Sequence, residues 1–289
     1  MDAGERIERS LELAVGRADA EGGPKLLAAA IRHAVFPGGA RVRPRLTLAV
    51  AQACGDEEPA LADACAAAIE LLHCASLAHD DLPCFDDAKT RRGLPSVHAV
   101  YGVPLALLAG DALIVMAFEA LARAGAGSPR RLVPLMQAIT KSVGAPSGIV
   151  AGQAWESEPN TVPEQYRCAK TGSLFVAATT CGALTSGEDP GPWRALGQRL
   201  GEAYQVADDL LDAVAQQTES DKPVGRDVAL ARPNAVTELG VTGAVERLQA
   251  LIADAMNSIP KCRGESELRE LVRLQALRLA PKRLMRSAA

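Results

Sequence analysis

The chain has 289 residues, of which 48% are hydrophobic and only 3% aromatic, so its apolar content is mainly alanine and leucine and favours helix. The formal net charge is −4, with acidic and basic residues interspersed, which excludes the basic stripe expected of a nucleic-acid-binding protein. Seven scattered cysteines without a CxxC spacing argue against a zinc site and fit the reduced thiols of a cytoplasmic protein.

Neither end of the chain nor its interior predicts a membrane segment. Residues 1–9 are charged and lack the apolar stretch of a signal peptide. The most apolar stretch, 103–121, is interrupted by Pro104, Gly110, Asp111 and Glu119. We therefore expect a buried helix there and no membrane span.

Apolar residues recur at helical spacing along nearly the whole chain, and no alternating pattern predicts a strand. In the first half of the chain, proline and glycine mark the ends of helices predicted at 5–20, 24–36, 44–55, 59–82, from Pro95 onward, and 104–123. The second half predicts helices at 130–144, 148–157, 163–187, 192–217, 234–259 (interrupted near Gly240) and 265–279, with a polar loop at 218–232. Since no linker or repeat divides the sequence, it predicts a single all-α domain spanning 1–289.

Two acidic clusters stand out on these helices. The first ends helix 59–82 and precedes Arg91-Arg92-Gly93; it comprises Asp80, Asp81, Asp86 and Asp87. The second lies within helix 192–217 and comprises Asp208, Asp209 and Asp212. Two unit charges roughly 4 Å apart repel by about 4 kcal/mol at an effective dielectric near 20. If the clusters face each other they need divalent cations, and Mg²⁺ held by carboxylates and substrate phosphates fits best. The pattern predicts a magnesium–diphosphate site.

Several cationic and polar residues accompany the clusters. His73 lies seven residues before Asp80 and shares its helix face, as a site donor or as an ordinary core histidine. Gln205 precedes Asp209 by one turn, and either reaches the same cavity or caps a neighbour. Lys170 and Thr171 lie within a helix, where the lysine either serves the site or extends to solvent.

A glycine turn adds two arginines, Gly38-Gly39-Ala40-Arg41-Val42-Arg43, at a helix start where backbone N–H groups favour anions. The Walker pattern GxxxxGK[ST] is absent, which disfavours nucleoside triphosphate chemistry.

Together these motifs resemble the trans-prenyltransferases, the polyprenyl diphosphate synthase family. The matching segments occur in family order over nearly the whole chain: Gly38-Gly39-x-Arg41-x-Arg43-Pro44, His73, Asp80 to Asp86, Arg91-Arg92-Gly93, Gly110-Asp111-Ala112, Gly152-Gln153, Lys170-Thr171-Gly172, Gln205, and Asp208 to Asp212. Residues 74–77 and 79–84 are most similar to bacterial geranylgeranyl diphosphate synthases of carotenoid pathways.

The resemblance implies an isoprenoid-synthase helical bundle around a central cavity. It also implies a Mg²⁺-dependent head-to-tail condensation of isopentenyl diphosphate with dimethylallyl, geranyl or farnesyl diphosphate, carried out by a homodimer. The departing diphosphate is stabilised electrostatically, and the allylic cation lies beside the Lys170, Thr171 and Gln205 dipoles.

Residue roles follow from the same resemblance. The implied metal ligands are Asp80, Asp86 and Asp208, supported by Asp81 and Asp212. The implied allylic diphosphate ligands are Arg91, Lys170, Lys222 and Arg232. The implied isopentenyl diphosphate ligands are Arg43, His73 and Arg92. Ala75 and Ser76 would set product length, because small residues below the first motif leave room for a twenty-carbon chain.

The sequence departs from the family pattern at two places. Ala40 stands where relatives usually carry lysine, which predicts a raised Michaelis constant for isopentenyl diphosphate. Ala231-Arg232-Pro233-Asn234 replaces a Gly-Lys-Ser/Thr segment, with Arg232 in place of the lysine.

Three alternatives accompany the geranylgeranyl diphosphate synthase interpretation. A farnesyl diphosphate synthase would make a fifteen-carbon product. A non-catalytic partner subunit fits the loss of lysine at position 40, but this chain keeps every aspartate. A terpene cyclase is disfavoured by the intact second aspartate motif.

Overall fold

A computed structural model describes residues 1–36, 38–160, 162–217 and 234–279, and these are almost entirely helical. The helices are α1 Ala3–Val15, α2 Lys25–Val35, α3 Val42–Ala53, α4 Pro59–Asp80, α5 Val97–Tyr101, α6 Val103–Ala124, α7 Pro129–Val143, α8 Ile149–Ala154, α9 Pro163–Arg167, α10 Ser173–Thr185, α11 Trp193–Gln217, α12 Ala235–Asn257 and α13 Glu265–Leu279. The predicted all-α class is confirmed, and the predicted helix positions agree within a few residues.

Helices α4 and α10 lie at the centre of the bundle. Both are apolar on all sides, as expected of a helix surrounded by others. Helix α4 packs against α6, α3 and α10, and α10 packs in addition against α7 and α11. Alanine at many α4 positions suits this arrangement, since it favours helix and lets neighbouring helices approach closely. The last turn of α4 thereby carries the first acidic motif from the core to one end of the bundle.

One feature differs from the prediction that the chain has no strands. Thr90–Arg91 (β1) and Leu94–Pro95 (β2) pair as a two-residue antiparallel hairpin. Its turn residues Arg92 and Gly93 both have positive φ, 55° and 76°, which is the type I′ geometry that glycine at the second position favours. The hairpin was missed because its strands are too short to show alternation. It fixes the directions of Arg91 and Arg92.

The predicted helix 163–187 exists as α9 and α10, joined by a π-helical turn at Cys168–Gly172. Such turns insert an extra residue into a helix and occur frequently at functional sites. This π turn carries Lys170 and Thr171, the pair that the sequence singled out.

Two helices are long and apolar enough to cross a membrane by length and composition alone, α4 and α6. In α4, 67% of the apolar window is buried, whereas in α6 only 33% is buried. Helix α4 is thus a core helix, and α6 has one face against α4 and another face exposed.

Candidate active site

The first acidic motif gains a third carboxylate that is distant in sequence. Oxygen atoms of Asp80, Asp86 and Glu156 all lie within 4.8 Å of one another. Glu156 belongs to a short 3₁₀ turn, Trp155–Ser157, that follows α8. Burial raises the pKa of Asp80; the Lys170 charge opposes that shift and the charges of Asp86 and Glu156 add to it.

Lys170 on the π turn neutralises part of this cluster. Its Nζ lies 2.5 Å from Glu156 Oε1 and 3.4 Å from Asp80 Oδ1. The approach depends on Gly152 of α8, because a Cβ at that position would lie 2.4 Å from the backbone nitrogen of Lys170. Glycine in the Gly152-Gln153 motif therefore allows α8 to lie against the π turn.

The next residue, Thr171, contacts the helix of the second acidic motif. Thr171 Oγ1 donates to Gln205 Oε1 at 2.9 Å, and Gln205 Nε2 donates to Asp209 Oδ1 at 3.1 Å. Asp209 is 3% exposed, and its Oδ2 accepts from the backbone N–H of Ala235 at 2.7 Å. Asp209 therefore fixes the start of α12 and orients Gln205, while Asp208 and Asp212 lie one turn apart on the exposed side of α11.

Both acidic motifs consequently lie at one site. Consecutive residues of the π turn contact them, Lys170 reaching Asp80 and Thr171 reaching the α11 turn just before Asp208. Burial lowers the pKa of Arg43, and the charge of Asp208 is among the smaller contributions that oppose this shift. Both motifs therefore lie beside the same π turn, and the magnesium–diphosphate hypothesis depends on such proximity.

The hairpin directs its two arginines to different neighbours. Arg91 binds Asp81 Oδ1 through Nε at 3.0 Å and Nη2 at 2.5 Å, which ties Asp81 to the hairpin. Burial raises the pKa of Asp81, and the hydrogen bond from Arg91 opposes that shift. Arg92 points the other way, donates to the carbonyl of Gly38 and lies 3.9 Å from Glu70.

A second cationic group surrounds His73. Burial, followed by the charges of Arg43 and Arg92, holds the pKa of His73 well below its usual range, so the imidazole is neutral at neutral pH. The Arg43 guanidinium stacks over the rings of Phe175 and Tyr204, at 4.8 and 5.4 Å. Among the described residues, its buried Nε has no hydrogen-bond acceptor. Such a group is suited to bind a polyanion.

Arg41, the other arginine of the glycine turn, is not part of this anion site. Its guanidinium is buried and bonds Glu70 Oε1 and Glu8 Oε1, both at 2.8 Å, and the carbonyl of Val35 at 2.9 Å. Arg41 therefore joins α1, α2 and α4 as a structural ion pair. The local pattern of the glycine turn did not distinguish Arg41 from Arg43, because Glu70 and Glu8 lie far along the chain, whereas the family resemblance assigned only Arg43 to isopentenyl diphosphate.

The remaining predicted residues are placed as follows. Ala75 is 1% exposed in the core, whereas His73, Ser76 and Asp80 are only partly buried along one face of α4. The Ser76 hydroxyl donates to the carbonyl of His73 at 2.8 Å. Lys222 and Arg232 lie outside the described residues.

Sequence reasoning missed Glu156 and Tyr166. Glu156 Oε1 accepts from Tyr166 Oη at 2.8 Å, and Oε2 accepts from Gln153 Nε2 at 3.0 Å. The available signal was the i,i+3 spacing of Gln153 and Glu156 on one predicted helix. No local pattern indicated Tyr166, because its partner Glu156 lies ten residues away in a different helical segment.

The residues fit a hard divalent cation. Carboxylate oxygens are the ligands that Mg²⁺ prefers, and three lie close together here. The ammonium of Lys170 already occupies a cationic position among them.

Several known proteins resemble this chain in sequence and in fold. The family model described as "Polyprenyl synthetase" matches residues 24–272. The chain is 53% identical over 277 residues to a geranylgeranyl diphosphate synthase of Cereibacter sphaeroides, covering 96% of each chain. It resembles the apo structure of a FPP/GFPP synthase from Zymomonas mobilis, with TM-score 0.81, 30% identity, and coverage of 95% of this chain and 97% of the other. It also resembles a Helicobacter pylori geranyltransferase complexed with magnesium and isoprenyl diphosphate, with TM-score 0.78, 29% identity, and coverage of 96% and 95%.

Proposed function

Because this chain belongs to the polyprenyl synthetase family, we propose a detailed assignment of its site as a Mg²⁺-dependent geranylgeranyl diphosphate synthase. The protein is a short-chain trans-prenyl diphosphate synthase that condenses isopentenyl diphosphate with allylic diphosphates. The observation that carries the site assignment is the convergence of both aspartate motifs on the π turn with Lys170 and Thr171.

Metal and allylic diphosphate are assigned to the acidic side of the site. Asp80, Asp86 and Asp208 would hold Mg²⁺, with Asp81 and Asp212 in support, and the bound metal would supply electrostatic stabilisation of the diphosphate leaving group. Arg91 and Lys170 bind the allylic diphosphate. Lys222 and Arg232, which lie outside the described residues, are assigned to the same group on the resemblance alone.

Isopentenyl diphosphate is assigned to the cationic side. Arg43 offers a buried N–H whose acceptor is missing among the described residues, and His73 contributes a neutral imidazole. Arg92 completes the subsite. The Gln205 amide is held by Thr171 and Asp209, so its carbonyl dipole is oriented before substrate binds, as electrostatic stabilisation of a cation requires.

We also propose a homodimer located in the cytoplasm, with 1–289 folded as one domain. The larger of two core clusters includes residues from Ile7 to Val272, and the smaller, between Ala203 and Leu251, lies within that range of the sequence, which supports the single domain. The exposed apolar face of α6 supports association with a second copy.

The test is chromatography of the products formed by the isolated protein from Mg²⁺, isopentenyl diphosphate and farnesyl, geranyl or dimethylallyl diphosphate. We expect the twenty-carbon diphosphate. A fifteen-carbon product would identify a farnesyl diphosphate synthase, and no product in the presence of metal would favour the non-catalytic subunit.

A further inference from the structure

The ammonium of Lys170 lies between carboxylates that are also candidate ligands for a metal ion. Its Nζ contacts Glu156 Oε1 at 2.5 Å and Asp80 Oδ1 at 3.4 Å, within the group of Asp80, Asp86 and Glu156. The lysine side chain is 21% exposed, so this ion pair is only partly screened by solvent. The ammonium thus lowers the repulsion that three neighbouring carboxylates would otherwise have.

Hydrogen bonds from two neighbouring side chains fix Glu156 beside Lys170. Tyr166 and Gln153 donate to its two oxygens at 2.8 and 3.0 Å. The Asp80 contact is longer than the Glu156 contact by about one ångström (3.4 against 2.5 Å). Of the two ion pairs, the one with Asp80 is therefore easier to break, while Glu156 keeps the lysine nearby.

We propose that Lys170 is an internal counter-ion that competes with the divalent metal for the first acidic motif. In the metal-free protein the ammonium neutralises Asp80 and Glu156. When metal binds, Lys170 releases Asp80, and its N–H donors become available to the allylic diphosphate. The inference rests on the metal site of the proposed function, and it predicts that free protein binds metal more weakly than its carboxylates alone would allow.

The test is a calorimetric titration of substrate-free, chelator-treated protein with Mg²⁺, at a pH well above the carboxylate range. Lys170→Met should bind Mg²⁺ about tenfold more tightly than the unmodified protein, because a charged contact to the ligand oxygens is lost. Lys170→Met should also melt at a lower temperature without metal and gain more stability from added Mg²⁺.

Two variants serve as controls. Lys141→Met removes the same charge from an exposed lysine on α7, a helix that carries no acidic residue, and its Mg²⁺ affinity should not change. Lys170→Arg keeps a cation in place and should keep the weak metal binding. A circular dichroism spectrum confirms that each variant is folded.

Unchanged or weaker Mg²⁺ binding by folded Lys170→Met would overturn the inference, and so would undetectable binding by both proteins. An equal gain in Lys141→Met would show a general charge effect, which also contradicts the inference. Product formation by the unmodified protein is measured separately. If product forms while Lys170→Met binds no tighter, only the inference is wrong; if no product forms, the proposed function is wrong.

Discussion

Asp80 ionises at a position where burial favours the protonated acid, so its pKa is raised. A carboxyl group whose folded-state pKa exceeds its unfolded value binds more protons when folded. Stability therefore decreases as pH rises from the ordinary value of 3.8 through the raised pKa, and it stays lower above that range.

We expect Asp80→Asn to stabilise the metal-free protein at neutral pH by about 1 kcal/mol, or roughly 2–4 °C in melting temperature. The gain should vanish at pH values below the carboxylate range, where Asp80 is neutral in both proteins. Thermal melts with chelator across pH test this, and Mg²⁺-dependent activity should fall by orders of magnitude. The matched control is Asp254→Asn, at an exposed position on α12. An equal gain of stability in that variant, or a loss of stability in Asp80→Asn, would contradict the assigned effect of burial on Asp80.

The exposed Ala40 side chain lies at the glycine turn, three residues before Arg43. We expect Ala40→Lys to lower the Michaelis constant for isopentenyl diphosphate about tenfold, because a hydrogen bond to a charged group contributes roughly 1.5–3 kcal/mol. Steady-state kinetics with each substrate varied in turn measure it. The Michaelis constant for the allylic substrate is the internal control. If the Michaelis constant for isopentenyl diphosphate does not change, position 40 does not belong to the isopentenyl diphosphate subsite.

At the residue scale, the sequence identified most polar groups of the site because charge and spacing are local properties. Lys170, Thr171 and Gln205 were singled out and lie in contact with one another or with the acidic motifs. Glu156 was missed because its i,i+3 spacing from Gln153 is common on helices, and its closeness to Asp80 and Lys170 arises only when the chain folds. Their chemical roles remain predictions that the kinetics above address.

At the scale of elements, a buried ion pair joins α3 to α4. The side chains of Arg41 and Glu70 are 4% and 2% exposed, so removing one partner leaves the other charge buried. We expect Glu70→Gln to cost about 3 kcal/mol of unfolding free energy, at the lower end for buried pairs because Glu8 still faces Arg41.

Denaturant unfolding measures the effect. Glu12→Gln breaks the comparable pair with Arg32, whose side chains are 49% and 39% exposed, and should cost less than about 1 kcal/mol. Similar losses of unfolding free energy in the two variants would show that burial does not increase the contribution of the Arg41–Glu70 pair to stability.

Helix α4 also carries the residues that we assign to product length. A tyrosine at Ala75 would fill the space below the first motif, so Ala75→Tyr should shorten the main product from twenty to fifteen carbons. Chromatography of the products measures this. Because Ala75 is fully buried, overpacking by about 1–3 kcal/mol is expected as well, and a thermal melt is the control for folding. A folded variant that still makes the twenty-carbon product would refute the assignment.

Helix positions were predictable at this scale, since proline and glycine mark their ends and the Ala/Leu content favours helix. The π turn and the hairpin were not. A π turn at Cys168–Gly172 follows from how α8 and α11 pack on either side, which no local pattern encodes. The hairpin has too few residues for a periodic signal.

At the scale of the whole molecule, α6 leaves a large apolar surface exposed. Leu108 and Val115, two turns apart on one face, are 49% and 67% exposed. We expect Val115→Glu to convert a homodimer into monomers, because burying an unpaired carboxylate in an apolar interface is strongly unfavourable.

Light scattering after size-exclusion chromatography measures the mass. Val133→Glu on α7, where the valine is 57% exposed, should leave the mass unchanged. If the unmodified protein is a monomer, the homodimer is excluded; if that monomer also binds lipid vesicles, the exposed face of α6 serves a membrane surface instead.

The opposed directions of Arg91 and Arg92 have a consequence for how this enzyme can vary. Arg91 ends strand β1 and Arg92 begins the turn with a left-handed φ of 55°, so the turn backbone directs the two adjacent guanidiniums, assigned to different substrates, to different neighbours. Because the length of a hairpin loop determines its turn type, inserting or deleting a single residue would redirect both arginines and disorganise both headgroup sites at once. The segment should therefore tolerate changes of side chain far better than changes of length.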